Sequence, residues 1–284
     1  MSHAGPGRIS AAERDQLATG RAGRNAPWPV LLVGAAALMV FALPLLALLV
    51  RAPWRSLLSI LRDEQAVTAL RLSLGCATAA TALSVLLGVP LAWVLARGRL
   101  PGTAVIRAFA LLPLVLPPVA GGVALLAAFG RRGVVGRYLD QWFGITLPFT
   151  TAGVVVAQTF VAMPFLVLVL EGALRGLDPG LEQAAATLGA GRWTVIRRVT
   201  VPALLPSLAA GAVLCWARAL GEFGATIIFA GNYPGRTQTM PIVVSLALDD
   251  GPDEAIALSV VLLAVSLTIL VALRDRWLRP GAAA

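Results

Sequence analysis

The sequence contains no lysine, so every strongly basic side chain in it is an arginine. A Walker A phosphate loop needs a lysine to reach the nucleotide phosphates, and Schiff-base or pyridoxal chemistry needs a lysine amine. The chain is therefore not itself a P-loop ATPase. We expect it to bind no cofactor of its own.

Residues for metal binding and nucleophilic catalysis are also scarce. The single histidine, His3, lies in the polar N-terminal segment, and the cysteines Cys76 and Cys215 fall in separate apolar runs without metal-ligand spacing. There is no Ser/His/Asp set and no glycine-rich phosphate loop beside a strand. We predict no metal site and no catalytic residues, and we expect both cysteines to be small buried hydrophobic residues.

Charged residues make up only 13% of the chain, whereas hydrophobic residues make up 58% and the mean hydropathy is +0.84. These values are typical of a polytopic membrane protein. Six runs are long enough to cross a bilayer core, which takes ~20 apolar residues. They lie at about Pro29 to Val50, Leu72 to Ala96, Ala108 to Phe129, Thr151 to Leu174, Ala203 to Ile228 and Ala255 to Ala272. The predicted fold class is an all-α membrane protein with six transmembrane helices.

The distribution of arginine predicts the orientation of these spans. If both termini are cytoplasmic, the inner segments hold more arginines than the outer loops, as the positive-inside rule requires. The segment between the fourth and fifth spans is then cytoplasmic. Membrane topology thus explains the net charge of +9, and we expect no nucleic-acid partner.

A polar hairpin is predicted in that cytoplasmic segment. Asp178 is a good N-cap, Pro179 suits the first helical position, and Gly189 with Gly191 allows one short helix to end before another begins. The spacing resembles the EAA loop of ABC-transporter permeases, which runs Glu-Ala-Ala, three residues, Gly, nine residues, Ile, one residue, Leu-Pro. The matching positions and the neighbouring acid are Glu182, Gln183, Ala184, Ala185, Gly189, Val199, Val201 and Pro202.

This resemblance departs from the family pattern at three positions. Gln183 takes the glutamate position, with the acid one residue earlier at Glu182, and valine replaces both late aliphatic residues. Two further segments, Leu72 to Arg97 and Leu111 to Val119, look like the first two helices of type I binding-protein-dependent permeases. The resemblance implies a homodimeric pore in membrane lipid, two ATPase subunits that use ATP and Mg²⁺ at the cytoplasmic loop, and an external binding protein.

The resemblance also implies a domain division and a location in the bacterial cytoplasmic membrane. We expect a disordered cytoplasmic tail over residues 1–27 and a transmembrane helix with an external connection over 28–69. The permease domain would cover residues 70–276, with its coupling loop at 175–202. A cytoplasmic tail over 277–284 would follow.

The fifth span contains an acid and a base at helical spacing. Arg218 and Glu222 lie four residues apart, and ionisable groups at membrane depth are costly enough to indicate a functional lining. We predict that they lie on the translocation path or at an outer gate. An ion pair that only neutralises two charges at a protein seam is the alternative.

An outer loop with turn residues follows this span. We expect its polar side chains Arg236, Thr237, Gln238 and Thr239 to be exposed toward a binding protein. The stretch from Ala217 to Pro241 closely resembles molybdate permeases, including its Gly-Arg-Thr-Gln-Thr-aliphatic-Pro ending. The resemblance implies a tetrahedral oxyanion, molybdate first, with tungstate and sulfate or thiosulfate as alternatives.

Two other classes of function are open to a chain of this composition. An ion-coupled secondary transporter would need a titratable group at the bilayer midplane, where the spans hold almost no charge apart from Arg218 and Glu222. A membrane scaffold without transport would leave the polar hairpin without a purpose. Both are less consistent with the sequence than a permease subunit.

Overall fold

A computed structural model describes residues 27–98 and 101–272, and within these ranges every regular element is helical. The predicted cytoplasmic tails and His3 lie outside the described residues. A 3₁₀ turn over Leu112–Leu114 follows the helix that ends at Leu111, and a π turn over Ile196–Thr200 joins the helix that ends at Val195 to the helix that begins at Val201. The helices are α1 Trp28–Arg51, α2 Leu57–Arg62, α3 Glu64–Arg97, α4 Thr103–Leu111, α5 Pro118–Phe129, α6 Gly136–Phe143, α7 Thr151–Gly176, α8 Pro179–Thr187, α9 Arg192–Val195, α10 Val201–Leu220, α11 Gly224–Ala230, α12 Met240–Asp250 and α13 Pro252–Ala272.

Five helices in the described part of the chain are long and apolar enough to cross a membrane, and a bent pair brings the number to six. The all-helical prediction is confirmed. The third predicted span is present as a bent pair of helices, which turn by 117° between Leu114 and Pro118. Pro117 and Pro118 lack the backbone N–H groups that would continue a helix through this point.

The fifth predicted span is also interrupted. Helix α10 ends at Leu220, and α11 begins only at Gly224. The break is closed on one side by the N–H of Gly221, which donates to the carbonyl of Ala217 at 3.2 Å. On the other side, the carboxylate of Glu222 accepts from the N–H of Ala225 at 2.9 Å and so caps the new helix. Arg218 therefore lies in the last turn of α10, and Glu222 lies in the break itself.

The chain divides into two compact units, residues 1–51 and 52–284. The first contains α1, a helix with an interior proline at Pro44. In the second, α3 runs unbroken from Glu64, where Asp63 accepts from the N–H of Ala66 at 3.1 Å as an N-cap. The predicted domain start at residue 70 therefore falls inside a helix.

Small residues lie among leucines in the core of the second unit. Helices α3, α7 and α10 pack through buried alanines, among them Ala80, Ala162 and Ala219. A Cβ added at Gly211 would lie 2.9 Å from a methyl group of Leu166, so α10 and α7 approach each other closely at this glycine. Both cysteines are buried as predicted. This packing fixes the C-terminal ends of α3 and α10, where Arg97 and Arg218 lie.

Candidate functional site

The hairpin predicted between the fourth and fifth spans is present. Asp178 Oδ1 accepts from the N–H of Gly180 at 2.8 Å, and Pro179 occupies the first turn of α8. The helix ends in two backbone hydrogen bonds, from Gly189 N–H to the Ala186 carbonyl at 3.0 Å and from Ala190 N–H to the Ala185 carbonyl at 3.1 Å. This is a Schellman motif, and Gly189 adopts the left-handed φ of +83° that it requires. The predicted N-cap at Asp178 and the predicted helix end at Gly189 are confirmed.

Glu182 faces inward, toward the end of α3. Arg97 Nη1 lies 2.6 Å from both carboxylate oxygens, and Thr200 Oγ1 donates to Oε1 at 2.6 Å. The guanidinium of Arg97 also lies 5.2 Å from the ring centre of Trp93. One carboxylate thus joins α3, α8 and the π turn that leads into α10.

These contacts set the charge state of Glu182. Partial burial acts to raise the pKa of the carboxyl, but the hydrogen bonds from Arg97 and Thr200 and the positive charge of Arg97 outweigh it, so the pKa lies below its ordinary value. Gln183, which holds the glutamate position of the family pattern, is exposed instead. The acidic residue is therefore ionised and already bound within the chain.

The exposed side of the hairpin is apolar at two positions that the sequence reasoning missed. Leu188 is 88% exposed and Trp193 is 73% exposed, one on either side of the Gly189 turn. Ala184 is exposed, and Ala185 is half-buried. The sequence could have indicated this face, since it places a leucine and a tryptophan beside a glycine turn in a loop predicted to be polar. Large apolar side chains exposed to water favour contact with another protein.

The last predicted loop positions lie where the hairpin enters the membrane-length helix. Val199 is half-buried in the π turn, and Pro202 is exposed in the first turn of α10. The ring of Pro202 cannot coexist with a regular helical turn that places the carbonyl of Arg198 against it. The wider π turn relieves this conflict, and Arg192 to Leu220 then form one continuous membrane-length helix.

A groove of about 870 Å³ lies under the hairpin. Its walls come from the end of α3 and from the inner faces of α8 and α9. The lining includes Trp93, Val94, Arg97, Glu182, Arg192 and Ile196. The Arg97–Glu182 contact is therefore accessible from one side of the hairpin.

A second acid at the same end of the molecule was not predicted. Glu171, in the last turns of α7, is buried, and Arg107 and Arg175 lie 2.7 Å and 2.8 Å from its Oε1. Both arginines also donate to the carbonyl of Leu95, at 3.2 Å and 3.3 Å. They satisfy a carbonyl near the C-terminus of α3, where intrahelical donors run out. The i, i+4 spacing of Glu171 and Arg175 was the sequence signal.

The predicted Arg218 and Glu222 pair exists. Arg218 Nη1 lies 2.6 Å from Glu222 Oε2, and the glutamate side chain is 1% exposed. Its other oxygen caps α11, so both carboxylate oxygens are bound within the chain. Arg218 remains partly exposed. The geometry is that of an ion pair that also stabilises a helix break. The predicted role of Arg218 and Glu222 in translocation stays a prediction.

The loop after α11 differs from its predicted exposure. Arg236 is exposed, but Thr237, Gln238 and Thr239 are buried, so the expectation of an exposed polar cluster is wrong for three of its four members. Thr237 Oγ1 accepts from the N–H of Tyr233 at 2.9 Å, and Gln238 Oε1 accepts from Gln65 Nε2 at 3.1 Å.

Two further contacts hold this loop. Ser73 Oγ accepts from the N–H of Met240 at 2.7 Å, and Thr151 Oγ1 donates to the carbonyl of Arg236 at 2.8 Å. The partners lie on α3 and α7, far away in sequence. The loop is thus fixed to the helix bundle, with Arg236 on its surface.

Comparisons with known proteins agree with this architecture. Residues 84–280 match the family described as "Binding-protein-dependent transport system inner membrane component". The chain belongs to this family. It is also similar to the crystal structure of a bacterial ABC transporter involved in the import of the acidic polysaccharide alginate, with a TM-score of 0.67, 20% identity and coverage of 93% of this chain and 95% of that chain. The predicted permease fold is confirmed.

Curated relatives are similar over most of their length. The molybdenum transport system permease protein ModB of Mycobacterium tuberculosis is 48% identical over 247 residues, which cover 87% of this chain and 93% of that protein. ModB of Escherichia coli is 42% identical over 210 residues, 74% of this chain and 92% of that protein. The sulfate transport system permease protein CysT of Escherichia coli is 35% identical over 248 residues, 86% and 89% of the two chains.

Proposed function

We propose that this chain is the membrane-spanning subunit of an ATP-driven importer of a tetrahedral oxyanion, and that the oxyanion is molybdate. The observation that carries the proposal is the near full-length similarity to relatives named as molybdenum transport permeases. The helical bundle, with its polar hairpin between two membrane-length helices, supports the same function. Sulfate is the second candidate, because a sulfate permease is also similar over most of its length.

The importer needs other subunits for its energy and its substrate. In the proposed complex two copies of the chain form the pore, and two separate ATPase subunits hydrolyse ATP with Mg²⁺ on the cytoplasmic side. A binding protein delivers the anion from outside, to the surface that includes Arg236. The chain itself supplies no catalytic residue and holds no cofactor in this account. It lies in the cytoplasmic membrane with both termini inside.

The hairpin has two faces that suit a coupling element. Leu188 and Trp193 present an apolar surface to the ATPase on either side of the rigid Gly189 turn. Glu182, on the opposite face, binds Arg97 at the end of α3 and Thr200 at the start of α10. A displacement of the exposed face by the ATPase would therefore be transmitted through the Glu182 carboxylate to α3 and α10. Closure of the ATPase subunits on ATP would in this way switch the pore between inward- and outward-facing forms.

Uptake in reconstituted vesicles tests the proposed function. The chain would be assembled with its ATPase and binding protein, and accumulation of radiolabelled molybdate would be measured with and without ATP. We expect ATP-dependent uptake that excess unlabelled tungstate competes for, because the two ions have nearly the same size and charge. Uptake of labelled sulfate that excess molybdate leaves unchanged would refute the molybdate assignment, and no ATP-dependent uptake of any of these anions would refute the function.

A substitution on the exposed face separates the coupling role from the pore. Trp193→Ala should leave the fold intact, because the side chain is mostly in water, while it weakens co-purification with the ATPase. Trp142→Ala is the control, since that tryptophan is 72% exposed on α6, away from the hairpin. Equal ATPase recovery with both variants would contradict the proposed docking face.

A further inference from the structure

Two buried polar side chains on facing helices have no partner for their polar atoms. Gln158 on α7 is 0% exposed, and neither atom of its amide has a hydrogen-bond partner within residues 27–98 and 101–272. Thr226 on α11 is also 0% exposed, and its hydroxyl is likewise unpartnered within those ranges. Burial of an unsatisfied polar group destabilises a protein, whereas an apolar residue of the same shape at the same place would not. Such groups therefore require an explanation.

The packing of the two helices puts these side chains at the same level. Val154 and Ala230 belong to one small buried cluster, and Ala157 and Ala225 belong to another. Residue numbers thus rise along α7 as they fall along α11, which makes the helices antiparallel. Gln158 lies one turn beyond Val154, and Thr226 lies one turn before Ala230, so the two residues lie at a similar level along the packed helices.

Thr226 also lies close in sequence to the ion pair at the helix break. Thr226 follows Ala225, whose N–H donates to the carboxylate of Glu222, and Arg218 binds the other oxygen of that carboxylate. Thr226 is thus the neighbour in sequence of the residue that Glu222 caps, and Gln158 lies on α7, the helix that packs against α11. The rest of the packing around these residues is apolar, with Leu125, Val161 and Phe229 nearby.

We propose that Gln158 and Thr226 form an intramembrane contact site for the transported oxyanion, which becomes accessible when α7 and α11 separate during the transport cycle. This inference rests on the proposed function and names the side chains that meet the substrate. A tetrahedral oxyanion only accepts hydrogen bonds, and Gln158 offers two amide N–H donors while Thr226 offers a rotatable hydroxyl. Neither donor can lose its function by titration, since both are neutral.

The charges beside these donors suit passage of an anion. Glu222 has both oxygens engaged, by Arg218 and by the N–H of Ala225, so its negative charge is compensated where the anion passes. Arg218 remains partly exposed and keeps further N–H donors for an anion. Because the side chains of Gln158, Thr226, Glu222 and Arg218 together carry no net charge, the anion is held by hydrogen bonds and not by a strong local field. Weak binding of this kind lets a substrate leave as well as enter.

The test uses the complete complex with its ATPase and binding protein in vesicles. Gln158→Leu removes both amide donors, and Thr226→Val removes the hydroxyl while it keeps the shape of the side chain. We expect each to lower the initial rate of ATP-dependent molybdate uptake by about tenfold or more, the value of a hydrogen bond to a charged group. ATP hydrolysis by the same vesicles should stay within about twofold of the wild type. Gln158→Asn, which retains the amide, should recover part of the uptake.

Two comparisons distinguish this site from a defect in packing. Ser84→Ala removes another buried hydroxyl, which lies on α3 beside the thiol of Cys215, and should leave uptake unchanged. The thermal unfolding midpoint of Gln158→Leu should be no lower than that of the wild type, because an unsatisfied polar group has been removed. If Gln158→Leu does not fold, Thr226→Val decides the question.

The outcomes separate this inference from the proposed function. Wild-type vesicles that take up no oxyanion would refute the function itself. Wild-type vesicles that take up molybdate, with Gln158→Leu and Thr226→Val at the wild-type rate, would refute only the contact site. An equal loss in Ser84→Ala would also refute it, because any buried hydroxyl would then have the same effect.

Discussion

Two acid–arginine pairs, one at each end of α10, have the same 2.6 Å separation but different surroundings. The Arg97–Glu182 pair joins residues 85 positions apart and is reached from a groove. The Arg218–Glu222 pair joins residues four positions apart, and its acid is buried beside a helix break. The first pair links separate elements and can transmit movement between them. The second fixes a local bend, so its main effect is on stability.

The largest effect should come from the buried pair. Glu222→Ala leaves Arg218 without its partner and removes the cap from α11, and we expect a loss of about 3–5 kcal/mol in the free energy of unfolding. Thermal unfolding in detergent would measure this loss. The control is Asp140→Ala, which breaks the exposed pair with Arg131 and should change the unfolding midpoint little. Similar shifts in both variants would contradict the difference between buried and exposed pairs.

A smaller effect is expected at the hairpin. Arg97→Ala or Glu182→Ala should each cost about 1.5–2 kcal/mol, below the upper range for charged hydrogen bonds because water reaches both side chains. Since the two residues share one interaction, the double variant should be scarcely less stable than either single variant. A double-mutant cycle in detergent measures this coupling. Strictly additive losses would mean that the pair does not hold the hairpin to α3.

The turn of the hairpin allows a matched comparison of two glycines. A Cβ at Gly189 or at Gly191 would meet no atom within 4 Å, but only Gly189 has a left-handed φ. Gly189→Ala should therefore cost about 1–2 kcal/mol from backbone strain, whereas Gly191→Ala should be nearly neutral. The two unfolding midpoints, measured in parallel, check this. Equal midpoints would show that the turn does not depend on its left-handed residue. Whether a bulky residue at Gly189 also uncouples transport stays a prediction.

The smallest effect concerns pH. Because folding lowers the pKa of Glu182 from its ordinary value of 4.5, its contribution to stability is complete above that value and is lost as the pH falls through the lower, folded pKa. The stability difference between the wild type and Glu182→Gln should therefore stay constant between about pH 7 and pH 5 and shrink at more acidic pH. Unfolding midpoints of both proteins across this range test it. A difference that grows on acidification would reverse the assigned direction.

Local features of the fold were predictable from the sequence, and long-range ones were not. The N-cap at Asp178, the turn at Gly189 and the Arg218–Glu222 spacing each depend on residues within a few positions of one another. The partner of Glu182 lies at the end of a different helix, and no spacing rule connects the two. The sequence therefore identified the hairpin as a unit but not which face of it binds the rest of the chain.

The predicted exposure of the outer loop was wrong, and the bend in the third span was not foreseen, for related reasons. Thr237, Gln238 and Thr239 follow turn residues, which usually indicates exposure, but Gln65 and Ser73 on α3 provide partners that bury this segment. The bend before Pro118 was marked by consecutive prolines inside an apolar run. A hydropathy average over a window does not show whether the chain bends within it. The two helices on either side of the bend therefore read as one span.

The central claim is that the Glu182 contact with α3 transmits movement from the hairpin to the membrane helices. The most direct test exchanges the two charges and measures oxyanion uptake per ATP hydrolysed in vesicles. Arg97→Glu and Glu182→Arg should each lower this ratio by roughly tenfold, and the doubly exchanged variant should recover most of it because the pair forms again. Full coupling in both single variants, or no recovery in the double variant, would contradict the claim.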